Sequence, residues 1–178
     1  MRKLAIVAAL ATMALLGVFT SVAQACRGGH RVPAQQSIRD ARRAVVCLIN
    51  RRRIRNDRRA VRGANTLANA AQGHSEAMVT QDFFAHEGDG TPASRAAAAG
   101  YKAGGGFTVG ENIGWGSGGL ATPDAIVDAW MSSPAHRAVI LSRRFRQVGV
   151  GVALGSPLGP DGPNMATYTV DLGRRGGG

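Results

Sequence analysis

The chain has few aromatic residues and only one long apolar run, and each shortage excludes a class of protein. Aromatic residues make up 5% of its 178 residues, too few to interleave its arginines as a nucleic-acid-binding surface would require. After residue 25 no apolar run is long enough to span a bilayer. The glycine triplet at 104–106 has no Lys-Ser/Thr pair after it, and no Gly-x-Ser-x-Gly phrase occurs. We therefore expect no nucleic-acid partner, no nucleotide loop and no serine-hydrolase elbow.

The first 25 residues have the features of a secretory signal peptide. Arg2 and Lys3 precede an apolar run over 4–19, and Ala23–Ala25 provides a small-x-small cleavage pattern. The mature protein is therefore expected to start at Cys26 and to be secreted, into the extracellular space or the periplasm. Retention of the segment as a membrane anchor is the alternative.

Cysteine is scarce: Cys26 and Cys47 are the two cysteines of the chain. In an exported protein two cysteines most simply pair, and this bond would tie the mature N-terminus to the first helix. Closing a loop of this length stabilises a fold by about 3 kcal/mol in the chain-entropy model. The alternative is a free Cys47 that packs as a small apolar residue.

Acidic residues are half as numerous as basic ones, and the imbalance is local. Residues 26–62 hold twelve arginines against Asp40 and Asp57, whereas residues 63–178 are almost balanced. This basic N-terminal segment could contact anionic polymers or phospholipid head groups of a cell envelope. The alternative is a solvated helix face from an arginine-rich proteome, which the near absence of lysine favours about equally.

Helical periodicity and capping residues predict the helices. Apolar residues recur at helical spacing after Ser37, and again from about Asn65 to Gln81. Two Thr-Pro pairs, at 91–92 and 122–123, have the pattern of an N-cap followed by the first helical residue. Ser133-Pro134 repeats that pattern, so we expect the Ser133 side chain to be an N-cap rather than a nucleophile.

Alternation of apolar residues predicts strands in the C-terminal third. It covers 148–154 and 165–172, which we expect to pair antiparallel, and a shorter extended segment covers 107–113. Helices first and strands later indicate an α+β domain with helices packed on a small antiparallel sheet. The predicted organisation is an irregular leader at 26–36, one domain at 37–173 and a disordered tail at 174–178.

Three side chains that can carry chemistry stand in unusual short phrases. His86 ends Phe84-Ala85-His86, Glu111 lies in Gly110-Glu111-Asn112-Ile113, and His136 lies in the phrase Trp130-x-x-Ser133-Pro134-x-His136-Arg137. Two imidazoles and a carboxylate are the minimum set for a metal site or an acid–base centre. His74, alone on an apolar helix face, is expected to be a hydrogen-bonded packing residue outside this site.

In order and spacing, these phrases together with Val148–Gly151 resemble the bacterial branch of the CAP superfamily. That superfamily includes cysteine-rich secretory proteins, antigen 5 venom proteins and plant pathogenesis-related proteins, and the resemblance covers about residues 40–173. It implies an α-β-α sandwich with a central cleft, lined in the eukaryotic branch by two histidines and two glutamates that bind a divalent metal in some members. His86, Glu111 and His136 match three of these positions. Ser133 stands at the fourth, which argues against chemistry that needs a second carboxylate.

Three functions remain open from the sequence. The first is a secreted, non-enzymatic CAP domain whose cleft or basic flank binds an envelope or extracellular ligand, with lipid as one class. The second is a metal-dependent hydrolase, such as a peptidase, with zinc on His86, Glu111 and His136. The third is a purely stabilising cluster, in which Glu111 accepts hydrogen bonds from backbone amides and from His136. In each case Asn112 and Ser133 would support the site.

Overall fold

The computed structural model describes residues 26–102, 104–159 and 162–176, so the predicted signal peptide lies outside the described residues. The helices within these ranges are α1 (Ile38–Ile54), α2 (Asn65–Thr80), α3 (Pro92–Ala98), α4 (Pro123–Ser132) and α5 (Pro134–Leu141). The strands are β1 (Arg62–Gly63), β2 (Phe107–Ser117), β3 (Gln147–Leu154) and β4 (Met165–Arg175). In this part of the chain no helix is long and apolar enough to cross a membrane.

Three helices begin where the capping residues predict. In each, the hydroxyl group of the N-cap residue accepts a hydrogen bond from a backbone N–H three residues later and so satisfies one of the free donors of the first turn. The pairs are Ser37 with Asp40 at 3.1 Å, Thr91 with Ser94 at 3.1 Å, and Thr122 with Ala125 at 3.3 Å. The local chemistry therefore fixes the first residue of α1, α3 and α4.

The strands form a sheet in the order β1-β3-β4-β2. β4 pairs antiparallel with both β3 and β2, whereas the two-residue β1 adds parallel to β3 and was not predicted. β2 is longer than expected and continues to Ser117. The prediction of a disordered tail from 174 is wrong for its first two residues, because Arg174 and Arg175 pair with β2 and the Arg175 guanidinium lies 4.7 Å from the centre of the Tyr101 ring.

Helices cover both faces of the sheet, which confirms the predicted α-β-α sandwich. On one face, α1 and α4 bury apolar side chains against the sheet. On the other face lie α2 and α3, with a smaller apolar cluster around Leu67, Ala96 and Tyr101. The larger core includes Val45, Leu48, Ile49, Val127, Trp130, Val148, Val150, Val152, Tyr168, Val170 and Leu172.

Two glycines of β3 bring the α2 backbone into direct contact with the sheet. A Cβ atom on Gly149 would overlap the backbone of Leu67, and one on Gly151 would overlap the carbonyl group of Ala71. Because these neighbours are helix backbone, they cannot move aside as a flexible side chain could. The Val-Gly-Val-Gly phrase therefore sets the distance between α2 and the sheet.

The predicted disulfide between Cys26 and Cys47 is present. It joins the leader to the middle of α1, and both Cys26 and Val32 of the leader are buried in the larger core. The leader is otherwise irregular, apart from a short 3-10 turn at Pro33–Gln35. The residues that directly follow the predicted signal peptide are thus part of the folded domain.

We predict that Gly151→Ala destabilises the domain by more than about 2 kcal/mol, because the added methyl group overpacks the contact between α2 and β3. Urea denaturation followed by circular dichroism measures the change. Gly63→Ala is the matched control, since a Cβ atom there meets no atom within 4 Å. Equal stabilities of the two variants would contradict this account of the close approach.

Candidate functional site

A polar layer lies between the sheet and the helices α2 and α3. Glu111 on β2 is the cross-strand partner of Asp171 on β4, which in turn pairs with Gly149 on β3. Because Gly149 has no side chain, this row of three cross-strand partners has no side chain at its β3 position, next to α2. Asp171 is fully buried, and so are His74 and Ser75 of the facing helix. Buried polar groups at this density require mutual hydrogen bonds or ion pairs.

The carboxylate of Glu111 is the centre of this layer and has a nitrogen partner at each oxygen. Oε1 lies 2.8 Å from Nδ1 of His86, and Oε2 lies 2.6 Å from Nη2 of Arg95. The Glu111 side chain is 1% exposed, whereas that of His86 is 50% exposed. The network therefore extends from the interior to the surface at His86. The expected hydrogen bonds to Glu111 from His136 and backbone amides are wrong; the donors come from the opposite layer.

Arg95 of α3 holds the loop that carries His86. Its Nη1 donates to the backbone carbonyl of His86 at 3.1 Å, to Oδ1 of Asp89 at 2.8 Å and to the carbonyl of Gly90. One guanidinium thus joins the strand carboxylate to three points of the loop. This planar fork of donors suits several oxygen acceptors at once. The position of His86 is therefore set by Arg95 as well as by Glu111.

His74 closes the layer from α2. Its Nδ1 lies 2.7 Å from Oδ1 of Asp89, and its Nε2 lies 3.8 Å from Oε1 of Glu111. Its ring also packs against Phe83, with centroids 5.9 Å apart. His74 is a hydrogen-bonded packing residue, as its sequence context predicts, and it packs directly behind the candidate site.

Asp171 is a buried acid without a protein donor. No N–H or O–H group in the described part of the chain donates to either of its oxygens. Burial raises the pKa of Asp171 well above its usual value, and the Glu111 charge acts in the same direction, against the opposing effect of Arg95. We infer that Asp171 keeps its proton to a higher pH than an exposed aspartate does.

His136 approaches His86 from the other helical layer. Burial lowers the pKa of His136, and the proximity of His86 lowers it further, so the imidazole is neutral at pH 7. The positive N-terminal end of α5, in whose first turn His136 lies, disfavours the imidazolium in the same direction. Asn112 fixes this turn, because its Nδ2 donates to the His136 carbonyl at 3.0 Å. Among the described residues, Nδ1 of His136 is buried without a partner.

The expected capping bond from Ser133 is wrong. Ser133 ends α4 and precedes α5, and its backbone N–H and carbonyl group bond to Ala129 and Arg137. Within the described chain its side chain makes no capping hydrogen bond. The backbone of one residue serves both helices here, and Pro134, which has no N–H group, leaves the first turn of α5 with one donor fewer to satisfy.

Sequence reasoning missed Arg95, Asp89 and Asp171 as members of this network. Asp171 carries the clearest signal, since it is the one charged residue in the alternating segment 165–172. A charged residue in a strand flanked by apolar neighbours is expected to be buried and paired. Arg95 has a weaker signal as the single basic residue of an alanine-rich helix.

The residues as arranged do not fit a three-ligand metal site. Both Glu111 oxygens already have nitrogen partners, and the guanidinium at one of them would repel a cation. In the described ranges no group of three or more His, Cys, Asp and Glu side chains is arranged to hold a metal ion. Zinc binding by His86, Glu111 and His136 stays a prediction, which calorimetric titration of the metal-free protein tests.

The α-β-α sandwich and this arrangement of histidines and glutamate together define a class of domains. A model of the cysteine-rich secretory protein family, CAP, matches residues 46–168. The chain belongs to this family. The uncharacterized protein YkwD of Bacillus subtilis is 33% identical over 122 residues, which are 66% of this chain and 44% of that protein. The chain thus spans less than half the length of this curated relative.

Solved structures share the fold. One is an extracellular protein with an SCP domain from Bacillus anthracis, with a TM-score of 0.61 and 24% identity over 78% of this chain and 41% of that one. Another is an outer surface protein of Borrelia burgdorferi, with a TM-score of 0.61 and 18% identity over 74% of this chain and 90% of that one. At these identities the likeness concerns the fold.

We predict that Asp171→Asn becomes more stable relative to the unsubstituted protein as the pH rises from about 4 to about 8. The raised pKa of Asp171 means that the folded state binds the proton that the unfolded state releases above its ordinary pKa of about 3.9, so the free energy of unfolding falls with rising pH. An amide removes this dependence and can still donate to Glu111. Urea denaturation across this pH range measures the difference.

Asp82→Asn serves as the control for this prediction, since Asp82 is exposed. It should leave the pH dependence of stability unchanged. A constant stability difference between Asp171→Asn and the unsubstituted protein from pH 4 to 8 would show that Asp171 is ionised in the folded state.

Proposed function

We propose that this chain is an exported, non-enzymatic CAP domain that binds an envelope or extracellular ligand in the cleft between His86 and His136, with lipid as the favoured class. The observation that carries the proposal is the state of Glu111. Its two oxygens are engaged by His86 and Arg95, and burial and the Glu111 charge raise the pKa of the neighbouring Asp171 carboxyl group. A general base or a metal ligand must present an accessible lone pair, and this carboxylate is almost wholly buried with a nitrogen partner on each oxygen.

The exposed side of the cleft favours binding of an amphipathic ligand. His86 presents a half-exposed imidazole that is bonded to Glu111, and Arg95 holds the backbone carbonyl of the same residue. Trp115 lies four residues beyond Glu111 on the same face of β2 and is 37% exposed. Phe84, two residues before His86, is 36% exposed. Aromatic surface on the strand and the loop that carry Glu111 and His86 would contact the apolar part of such a ligand.

Export is supported from three directions. The N-terminal 25 residues have the pattern of a signal peptide, and the Cys26–Cys47 disulfide is the kind of bond that persists in oxidising compartments. Two proteins that share the fold are described as extracellular or outer surface proteins. An envelope ligand is consistent with this location, and the basic N-terminal segment would add attraction to an anionic surface.

Sedimentation with vesicles made from bacterial envelope lipids tests the proposal, at about 0.05 M and about 0.5 M salt. The mature protein should sediment with the vesicles, and binding should weaken at the higher salt. We predict that His86→Ala/Trp115→Ala lowers the bound fraction at least about tenfold at both salt concentrations, because it removes contacts within the cleft, each worth of the order of 1 kcal/mol.

The matched control is His30→Ala, which removes an exposed imidazole of the leader, distant in sequence from the cleft motifs. It should bind like the unsubstituted protein. Absence of salt-sensitive binding, or equal binding by the cleft variant and the control, would remove this proposal.

A further inference from the structure

A second cavity, separate from the cleft, is lined almost entirely by arginine. It has a volume of about 190 Å³ and lies where the C-terminal end of α1 meets the segment after α5. Its lining residues are Arg53, Asp57, Arg58, Arg59, Arg143 and Arg146. Two of these arginines follow residue 141, so the fold adds them to the basic N-terminal segment. Five guanidinium groups thus face one small space together with a single carboxylate.

Three of the arginines are held in place by backbone carbonyl groups. Arg53 is 1% exposed and donates to the carbonyls of Arg59, Ile140, Ser142 and Phe145. Arg58 donates to the carbonyl of Leu141 at 2.9 Å, and Arg146 to those of Arg143 and Phe145. These contacts orient the guanidinium groups but leave their positive charge uncompensated, because a carbonyl group is neutral.

The pKa of Arg53, the buried arginine of this cavity, shows the effect of the uncompensated charge. Burial lowers the pKa of Arg53, and the charges of Arg146 and Arg58 lower it further. In the described ranges none of the five arginines forms an ion pair with a carboxylate, and the side chains of Arg59 and Arg143 have no hydrogen-bond partner. Unpaired like charges around a small space are unfavourable without a counter-charge.

The contrast with a neighbouring cavity shows that this arrangement is local. A larger space of about 570 Å³ between α1 and α4 is also lined by three arginines, but Asp124 and Asp128 line it too. There Arg52 pairs with Asp128 and His30 pairs with Asp124. Two aspartates line that cavity and one of its arginines, Arg52, forms an ion pair, whereas the smaller cavity has one exposed aspartate and, in the described ranges, no such pair.

We propose that the arginine cavity of Arg53, Arg58, Arg59, Arg143 and Arg146 binds a phosphate group. Guanidinium forks match the oxygens of a phosphate in geometry and in charge. The C-terminal ends of helices ordinarily repel anions, but here the last carbonyls of α5 already accept from Arg53 and Arg58. Free donors remain on Arg59 and Arg143 at the rim, where an incoming phosphate would meet them. This site is independent of the proposed cleft function.

Calorimetric titration of the mature protein with inorganic phosphate, in a buffer free of other multivalent anions, tests the site. We expect one phosphate per chain, with affinity that falls as chloride rises. Arg59→Gln/Arg143→Gln, the rim variant, should lower the affinity at least tenfold without lowering the thermal unfolding temperature, because neither side chain has a partner in the fold. Arg59→Lys/Arg143→Lys keeps the charge without the fork and should give an intermediate affinity.

The matched control is Arg51→Gln/Arg55→Gln, which removes the same charge from two arginines of the larger cavity. It should keep the affinity within about twofold of the original. Undetectable phosphate binding, or an equal loss in the rim variant and the control, would overturn the proposal, since the second result indicates a diffuse effect of net charge.

Vesicles identify the source of the phosphate group. Competition between phosphatidylglycerol vesicles and inorganic phosphate would assign the site to a lipid head group. In that case the vesicles should bind the Arg51→Gln/Arg55→Gln control but not the Arg59→Gln/Arg143→Gln variant. Phosphate binding without such competition would assign it to a soluble phosphate. His86→Ala/Trp115→Ala separates this site from the cleft, because it should leave phosphate affinity unchanged whether or not the cleft binds lipid.

Discussion

Arg95 and Glu111 form an ion pair that is almost wholly removed from water, and the arrangement of the cleft depends on it. Their side chains are 7% and 1% exposed. Two buried charges require further hydrogen-bond partners, and Arg95 finds them in the loop at His86, Asp89 and Gly90. The same contacts that neutralise the strand carboxylate therefore position the loop and its exposed histidine. Without the pair, the loop would lose three of its attachments and the sheet would retain an isolated buried charge.

The two faces of the sheet are chemically different, and this difference places the site. The face toward α1 and α4 is apolar and carries the larger core, so it supplies hydrophobic stabilisation. The face toward α2 carries polar groups beside the two glycines that let this helix approach, and Ser75 bonds Thr169 there at 2.9 Å. β2 is the edge strand, and it bonds both helical layers: Glu111 contacts His86 on one side, and Asn112 donates to the His136 carbonyl on the other. The cleft lies where the polar face reaches the edge of the sheet.

The sequence predicted the features that depend on local chemistry. Thr91 and Thr122 cap helices because each hydroxyl group precedes a proline at the first helical position and can accept from a free backbone N–H group. The segments with period-two alternation become strands because an extended backbone places their valines on one face. The register of those strands depends on contacts between residues far apart in the sequence. The pairing of Glu111 with Asp171 could therefore not be predicted, nor could the ion pair between Arg95 and Glu111. The Ser-Pro pattern predicts a side-chain cap at Ser133, but it carries no information on the backbone of this residue, which bonds to both α4 and α5. The family motifs indicated the residues of the cleft but not the contacts that hold them.

A double-mutant cycle on Arg95 and Glu111 tests the central claim most directly. The free energies of unfolding of Arg95→Met, Glu111→Gln and the double variant would be measured by urea denaturation at pH 7. If the buried pair organises the site, each single variant leaves a partner unpaired, and the double variant is more stable than the summed losses imply, with a coupling energy of at least about 1.5 kcal/mol. Losses that add to within about 0.5 kcal/mol would contradict the account, because they would mean that the two side chains stabilise the fold independently.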